Sequence, residues 1–284
     1  MASQPPVFRV FVSSTFSDLK RERDVLQRKA FKNLTDYCAS CGARFQAIDL
    51  RWGVSMEAAL DQTAMPICLE ELRRCQHTTP KPNFLVLLGD RYGWQPLPYK
   101  ILADEFNELI AHTQSTEADR LNRWYKQDNN SVPPEVVLQA RTGSYQDHKT
   151  WTAEEADLRN IFLTAMDIAG WDSEDPRRAK YTKSATHQEI DQGALASEDI
   201  ARQAVAYTRK TLGFPRTSAA SGFIDLDDGE PDSKAANSLL ALKRVLRASL
   251  PESLYHTYRA YWLFGAPRTS LGLLSNRIEA SLRS

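Results

Sequence analysis

The chain has 284 residues, of which 42% are apolar and 10% aromatic, enough to bury a substantial core and to exclude a disordered polymer. Thirty-six Lys and Arg balance 36 Asp and Glu, so no global basic field exists to grip a phosphate backbone, and direct nucleic-acid binding is not expected. No apolar run approaches the ~20 residues of a bilayer span. The start, MASQPPVFRV, lacks a secretory signal, and four cysteines are too few for a disulfide framework, so the chain reads as soluble and cytoplasmic.

Val7 to Val12 is a β-branched and aromatic run stopped by Ser13-Ser14-Thr15, which predicts a first strand. Ser17-Asp18 then caps one long helix with Leu19, Leu26, Ala30, Leu34 and Tyr37 at helical spacing, ending near Cys41-Gly42. Arg44 to Leu50 is a second strand and Thr63 to Gln76 a second helix. Asn83 to Leu88 is a third strand, apolar on both faces like the buried centre of a parallel sheet. Strand, helix, strand, helix, strand with short linkers predicts a doubly wound parallel sheet.

Residues 95–183 break this rhythm. They are polar, carry Trp124, Trp151 and Trp171, and are interrupted by Asn129-Asn130 and Pro133-Pro134. They read as a helical insertion after strand three, dividing the α/β domain into a first half (1–94) and a second half (184–284). The second half starts with a helix near 184–196 and a fourth strand around 205–208. A helix over 233–249, a fifth strand over 255–264 and a final helix over 270–282 follow. The chain stops inside that helix, which suggests the N-terminal portion of a longer protein.

Ligands of open α/β sheets bind outside the carboxyl ends of the strands. Strand one delivers Ser13, Ser14 and Thr15 there, strand two Asp49, Arg51 and Trp52, and strand three Asp90, Arg91, Tyr92 and Trp94. Hydroxyls, carboxylates, guanidinium groups and aromatic faces are what a nucleotide site uses. The same aromatics also read as packing residues and the charges as mutual partners. Glu22 and Arg23 fall where the first helix should be apolar, which predicts a buried contact of Glu22 with Arg51 or Arg91. Glu189 falls early in the helix between strands three and four. There it either stabilises an oxocarbenium-like centre at a riboside bond or merely complements the helix dipole.

Several chemistries lack their motif. There is no P-loop, no G-x-G-x-x-G and no H-E-x-x-H. Cys38-x-x-Cys41 sits at a helix C-terminus, where the dipole raises a thiol pKa. Zinc through Cys38, Cys41, Cys75 and His77 lacks a second closely spaced pair. Asp225-Leu-Asp-Asp-Gly-Glu230 has its glycine misplaced for a calcium loop and reads as a solvated turn.

The block Phe8-Arg-Val-Phe-Val-Ser-Ser-Thr-Phe16, with Asp18 and Glu22-Arg23, resembles the start of the TIR-like domain that precedes NACHT ATPase modules. Such domains occur in NACHT/WD-repeat, telomerase-associated and nephrocystin-like proteins and in bacterial ATPases of the STAND class. Asp49-Leu-Arg51-Trp52-Gly53, Cys68 to Cys75, Leu88 to Trp94, Trp124 to Pro134 and Ser184 to Ile190 extend the resemblance over most of the chain.

The resemblance implies a flavodoxin/TIR-like doubly wound parallel five-stranded sheet acting as an effector or adaptor domain. Self-association and C-terminal ATPase and sensor modules in the full protein are also implied. Related catalytic TIR domains cleave NAD at the nicotinamide–ribose bond with a glutamate on the helix after the third strand, and Glu189 matches that position. An NAD nucleosidase is therefore one expectation, with NAD as substrate rather than permanent cofactor, Glu189 catalytic, and Ser13, Ser14, Thr15, Asp49, Arg51, Trp52, Arg91 and Tyr92 lining the pocket. A non-enzymatic interaction domain is the first alternative. A nucleoside deoxyribosyltransferase-like enzyme, with Asp49 and Glu189 sharing the work, is the second.

Overall fold

The computed structural model describes residues 5–50, 59–79, 81–215 and 217–283. The chain divides into two compact units. One comprises Met1–Arg51, Leu69–Gly93 and Glu189–Ser284, the other Trp52–Cys68 and Trp94–Gln188.

The first unit is built on a six-stranded sheet. Its strands are β1 (Val7–Ser14), β2 (Arg44–Ile48), β3 (Phe84–Leu88), β4 (Ala204–Leu212), β5 (Tyr255–Leu263) and β6 (Ala266–Arg268). They run in the order β6-β5-β4-β3-β1-β2. The first five are mutually parallel, with Ser13 opposite Val86, Leu87 opposite Tyr207 and Tyr258 opposite Arg209. β6 turns back antiparallel on β5, so the sheet has one strand more than the predicted five. The extra strand is three residues long and contains Pro267, too short and too poor in donors to stand out in sequence.

β3 is buried along its whole length, as its unbroken apolar run predicts. On one face of the sheet Val10, Val12, Leu85, Leu87, Val205 and Tyr207 form a common core with Leu26, Phe31 and Leu34 and with Leu274 and Ile278 of the last helix. The predicted long helix after β1 is two helices, α1 (Lys20–Arg28) and α2 (Ala30–Ser40), broken at Lys29, whose φ and ψ are −123° and −76°. The break lets α1 keep a polar stripe of Glu22 and Arg23 while α2 buries Phe31, Leu34 and Cys38. The predicted cap residue Asp18 does not cap α1: Leu19 stands at that position, and no side chain caps the helix.

The other face holds Phe11 and Phe84, their rings stacked with centroids 6.0 Å apart. Gly193 lies against Phe84 in the π-helical turn Asp191–Leu195, which continues the helix Ala185–Ile190. The Asp-Gly pair at 228–229 closes a two-residue hairpin between Leu226–Asp227 and Glu230–Pro231, both residues having positive φ. No helix among the described residues is long and apolar enough to cross a membrane.

The second unit is not purely helical. Lys100–Leu102, Tyr125–Asp128 and Glu135–Leu138 form a three-stranded antiparallel sheet with Glu135–Leu138 in the middle. Three- and four-residue strands give no measurable two-residue period, which is why the sequence shows only the helices. The Asn- and Pro-rich interruption predicted as a break is the loop joining two of these strands. The core is aromatic: Phe106, Trp124, Tyr125, Trp151, Phe162, Trp171 and Tyr181 pack with Leu109, Leu121 and Leu158. Buried indoles keep their N–H satisfied, Trp124 on Glu154 at 2.8 Å and Trp171 on Glu108 at 2.9 Å.

A Cβ at position 193 would stand 2.6–2.8 Å from three ring carbons of Phe84. Gly193→Ala should therefore destabilise the protein by about 1–3 kcal/mol through overpacking. Urea denaturation followed by circular dichroism measures this, and an unchanged midpoint would show that the ring can move aside.

Candidate functional site

The carboxyl end of β1 sets the site. Successive residues of a strand point to opposite faces of a sheet, so Ser13 and Ser14, adjacent in sequence, serve different surroundings. Ser13 Oγ donates to Glu189 Oε2 at 2.6 Å, and both residues are buried. Glu189 sits just ahead of the π-helical turn. That turn is tied down by Gln192, whose side chain donates to the Leu69 carbonyl while its own carbonyl accepts from Gln76 at 3.1 Å. A carboxylate 176 residues downstream is thereby brought to the tip of the first strand.

Ser14 belongs to a second group. Its Oγ accepts from Arg23 Nη1 at 2.7 Å, and the same guanidinium makes a bidentate pair with Asp49 through Nε and Nη2. Both side chains of this pair are nearly inaccessible. Arg23 also lies 5.1 Å below the ring of the exposed Phe16. Asp49 thus pairs with Arg23, and Glu189 accepts from Ser13.

Thr15 opens a third group. Its hydroxyl donates to Asp18, and Asp18 Oδ2 accepts the backbone N–H of Asp90 at 3.0 Å, linking the segments after β1 and β3. Arg209 of β4 lies behind them with its side chain 1% exposed. Its Nη1 donates to Glu22 at 2.9 Å and to the Asp18 carbonyl at 2.7 Å, its Nη2 reaches Asp18 Oδ2 at 3.3 Å, and its Nε reaches Asp90 at 3.0 Å. Tyr258 adds a bond to Glu22 at 3.1 Å and Thr211 one to Asp90 at 2.6 Å. Burial alone would lower the Arg209 pKa, but Glu22, Asp18 and Asp90 hold it above its ordinary value. Burial pushes the Asp18 carboxyl up in spite of Arg209, Thr15 and the Asp90 amide. Glu22 is therefore partnered by Arg209 and Tyr258. The predicted contact with Arg91 is not made, because Arg91 donates instead to Asp225 at 3.2 Å and to Ser17 at 2.7 Å.

Asp225 organises the loop after β3, its Oδ2 accepting from the backbone N–H of Tyr92 at 2.6 Å and of Gly93 at 3.3 Å. Tyr92 is buried. The segment expected to be a solvated turn thus supplies a structural anion. Arg51 and Trp52 lie outside the described residues.

A family model described as "Domain of unknown function (DUF4062)" matches residues 9–162, just over half of the chain. The chain belongs to this family. It is 33% identical over 237 residues to mouse NACHT domain- and WD repeat-containing protein 1, covering 80% of the chain and 15% of that protein. It is 27% identical over 262 residues to human NACHT and WD repeat domain-containing protein 2, covering 83% and 15%. Rat telomerase protein component 1 matches over 93 residues at 36% identity, covering 33% of the chain and 3% of that protein. The chain thus spans about 15% of the length of the NACHT and WD repeat relatives it matches. No solved structure matches it.

The cysteines of this DUF4062 chain are unsuited to thiolate chemistry where their state is defined. Burial pushes the Cys38 thiol up, and pushes Cys75 up to about 12. Among the described residues no group of three or more His, Cys, Asp or Glu side chains could hold a metal ion.

Arg209 is absent from the sequence-derived site, because a charge after Val205–Thr208 looks like the end of a strand. The strand in fact runs on to Leu212. No local signal marks it, because its partners Asp18, Glu22 and Asp90 stand in the sequence beside Lys20, Arg21, Arg23 and Arg91. Arg209→Met removes this buried cation, and the sheet unit should lose about 3–5 kcal/mol at neutral pH. The Asp18 pKa is raised in the folded state, so its contribution to stability is present at low pH and lost as pH rises through that value. Without Arg209 the value climbs further, so the loss should be larger at about pH 8 than at about pH 5. Urea denaturation of both proteins at the two pH values checks this; equal losses would mean that carboxylate ionisation does not carry the effect.

Proposed function

We propose that this DUF4062 chain is a TIR-like effector or signalling domain of a STAND-type, NACHT-containing protein, and that it hydrolyses NAD at the nicotinamide–ribose bond with Glu189 as the catalytic carboxylate. The similarity to NACHT and WD repeat proteins supports the context. In that context ATPase and repeat modules follow the domain, and clustering by those modules switches it on, as befits a signalling or defence protein. The order 2-1-3-4-5 of the five parallel strands is that of flavodoxin-like sheets and supports the TIR-like reading.

The observation that carries the enzymatic reading is the bond from Ser13 to Glu189 at the carboxyl end of β1. Ser13 orients the carboxylate at the edge where such sheets bind nucleotides. Cleavage breaks the bond between C1′ of the ribose and the nicotinamide nitrogen, whose electron pair leaves with neutral nicotinamide. Glu189 stabilises the oxocarbenium-like ribose and takes the proton of the incoming water, giving ADP-ribose. Ser14 and Thr15, with Asp49, Arg51, Trp52, Arg91 and Tyr92 on the neighbouring loops, form the rim of the pocket in this reading.

One observation favours the adaptor alternative. The hairpin between β5 and β6 turns on Phe264 and Gly265, and Phe264 is 94% exposed beside half-exposed Tyr261 and Leu263. Such a tip suits association with a second copy.

Nicotinamide release from NAD by artificially clustered protein tests the proposal. Glu189→Gln should reduce turnover by at least about 100-fold. Ser13→Ala should lower it less, with the fold intact. Absence of turnover in every assembly state would leave the adaptor reading, and turnover surviving Glu189→Gln would mean that another residue is the catalyst.

A further inference from the structure

The second unit holds a polar cluster that the reading above does not use. The helix His148–Ile168 carries Glu155 and Arg159 one turn apart, with Arg159 Nη2 3.8 Å from Glu155 Oε2. Trp94 Nε1 donates to both oxygens of Glu155, at 2.9 and 3.1 Å. Arg141 lies within the electrostatic reach of the same carboxylate, its guanidinium 5.5 Å from the Trp151 ring and its Nη2 on the Ala59 carbonyl at 2.9 Å. Arg159 Nη2 donates to the Gln95 carbonyl.

These groups do not balance. Among the described residues two guanidinium cations face one carboxylate. The Nε–H of Arg141 and the Nε–H of Arg159 are both buried without an acceptor. So is the side-chain amide of Gln62, two residues beyond the Leu60 carbonyl that accepts from the Arg141 backbone. Buried donors are rarely left unpaired, least of all charged ones. The cluster lacks one anion that brings acceptor atoms with it. Phosphate oxygens suit forked guanidinium donors in number and charge. Trp94 supplies a second element. Its indole N–H is locked on buried Glu155 while the residue is 48% exposed, so a fixed aromatic surface faces outward beside the cations.

We propose that this cluster binds a nucleotide, its phosphate accepting from Arg141 and Arg159 and its planar base lying on the indole of Trp94. The site shares no residue with the Ser13–Glu189 pair and does not depend on NAD cleavage. Its test reads binding, so its failure leaves the enzymatic reading untouched.

Calorimetric titration of the full chain with AMP, adenosine and inorganic phosphate separates the parts. AMP should bind more tightly than phosphate, and adenosine least. Arg141→Gln and Arg159→Gln keep a donor for the Ala59 and Gln95 carbonyls, and each should weaken AMP and phosphate about tenfold. Trp94→Ala should weaken AMP while leaving phosphate unchanged. Thermal melting identifies which variants are folded. Phosphorus NMR of AMP with the unmodified protein is independent of any variant: a shifted or broadened signal is expected. No heat and no spectral change at millimolar AMP would overturn the proposal. So would adenosine binding as well as AMP, or affinities unaltered in folded arginine variants.

Discussion

One buried guanidinium holds the carboxyl edge of the sheet together. Arg209 projects from β4 and contacts carboxylates from α1, from the segment between β1 and α1, and from the segment after β3, while Tyr258 of β5 shares one of its partners. A cation this deep is costly unless each donor is matched, and the surrounding acids would be costlier still without it. Attraction at short range in a poorly polarisable interior offsets both costs only when the strands stand in a single register. Glu22, Asp18 and Asp90 therefore act as a gauge: a one-residue slip of β4 would send Arg209 to the opposite face and leave the three carboxylates without their shared guanidinium.

Division of labour between neighbouring hydroxyls follows from that rigidity. Ser13, Ser14 and Thr15 look like one polar tip in the sequence, yet each has its own carboxylate partnership: Glu189 directly, Asp49 through Arg23, and Asp18 directly. The Arg23–Asp49 pair is internally neutralised, whereas Arg209 faces three carboxylates. Both groups tie the strand ends to the helix that follows β1.

Much of the sheet was legible because its signal is local. The runs at Val7–Val12 and Phe84–Leu88 are strands whatever surrounds them, and the acids and hydroxyls that follow were correctly assigned to strand ends. The meeting of Glu189 with the first strand was legible from its place early in the helix after the third strand and from the resemblance, although nothing near residue 189 encodes a contact 176 positions away. Three features escaped. Arg209 was hidden because a buried charge within a strand contradicts the usual pattern of burial, and only its distant partners make it tolerable. Asp225 looked like part of a solvated acidic turn, although two backbone amides and Arg91 claim it. The small antiparallel sheet of the second unit is set by pairing between strands shorter than one detectable period, so its information is nonlocal.

The margins of the large sheet carry a separate implication. At one end β2 has five residues, with Arg44 and Gln46 exposed; at the other β6 has three residues and a proline that can donate no hydrogen bond. Both margins are poor templates for an added strand. Polymerisation of this unit by continuous backbone pairing from molecule to molecule is thus disfavoured. Contacts between copies of this unit would have to use side-chain surfaces instead.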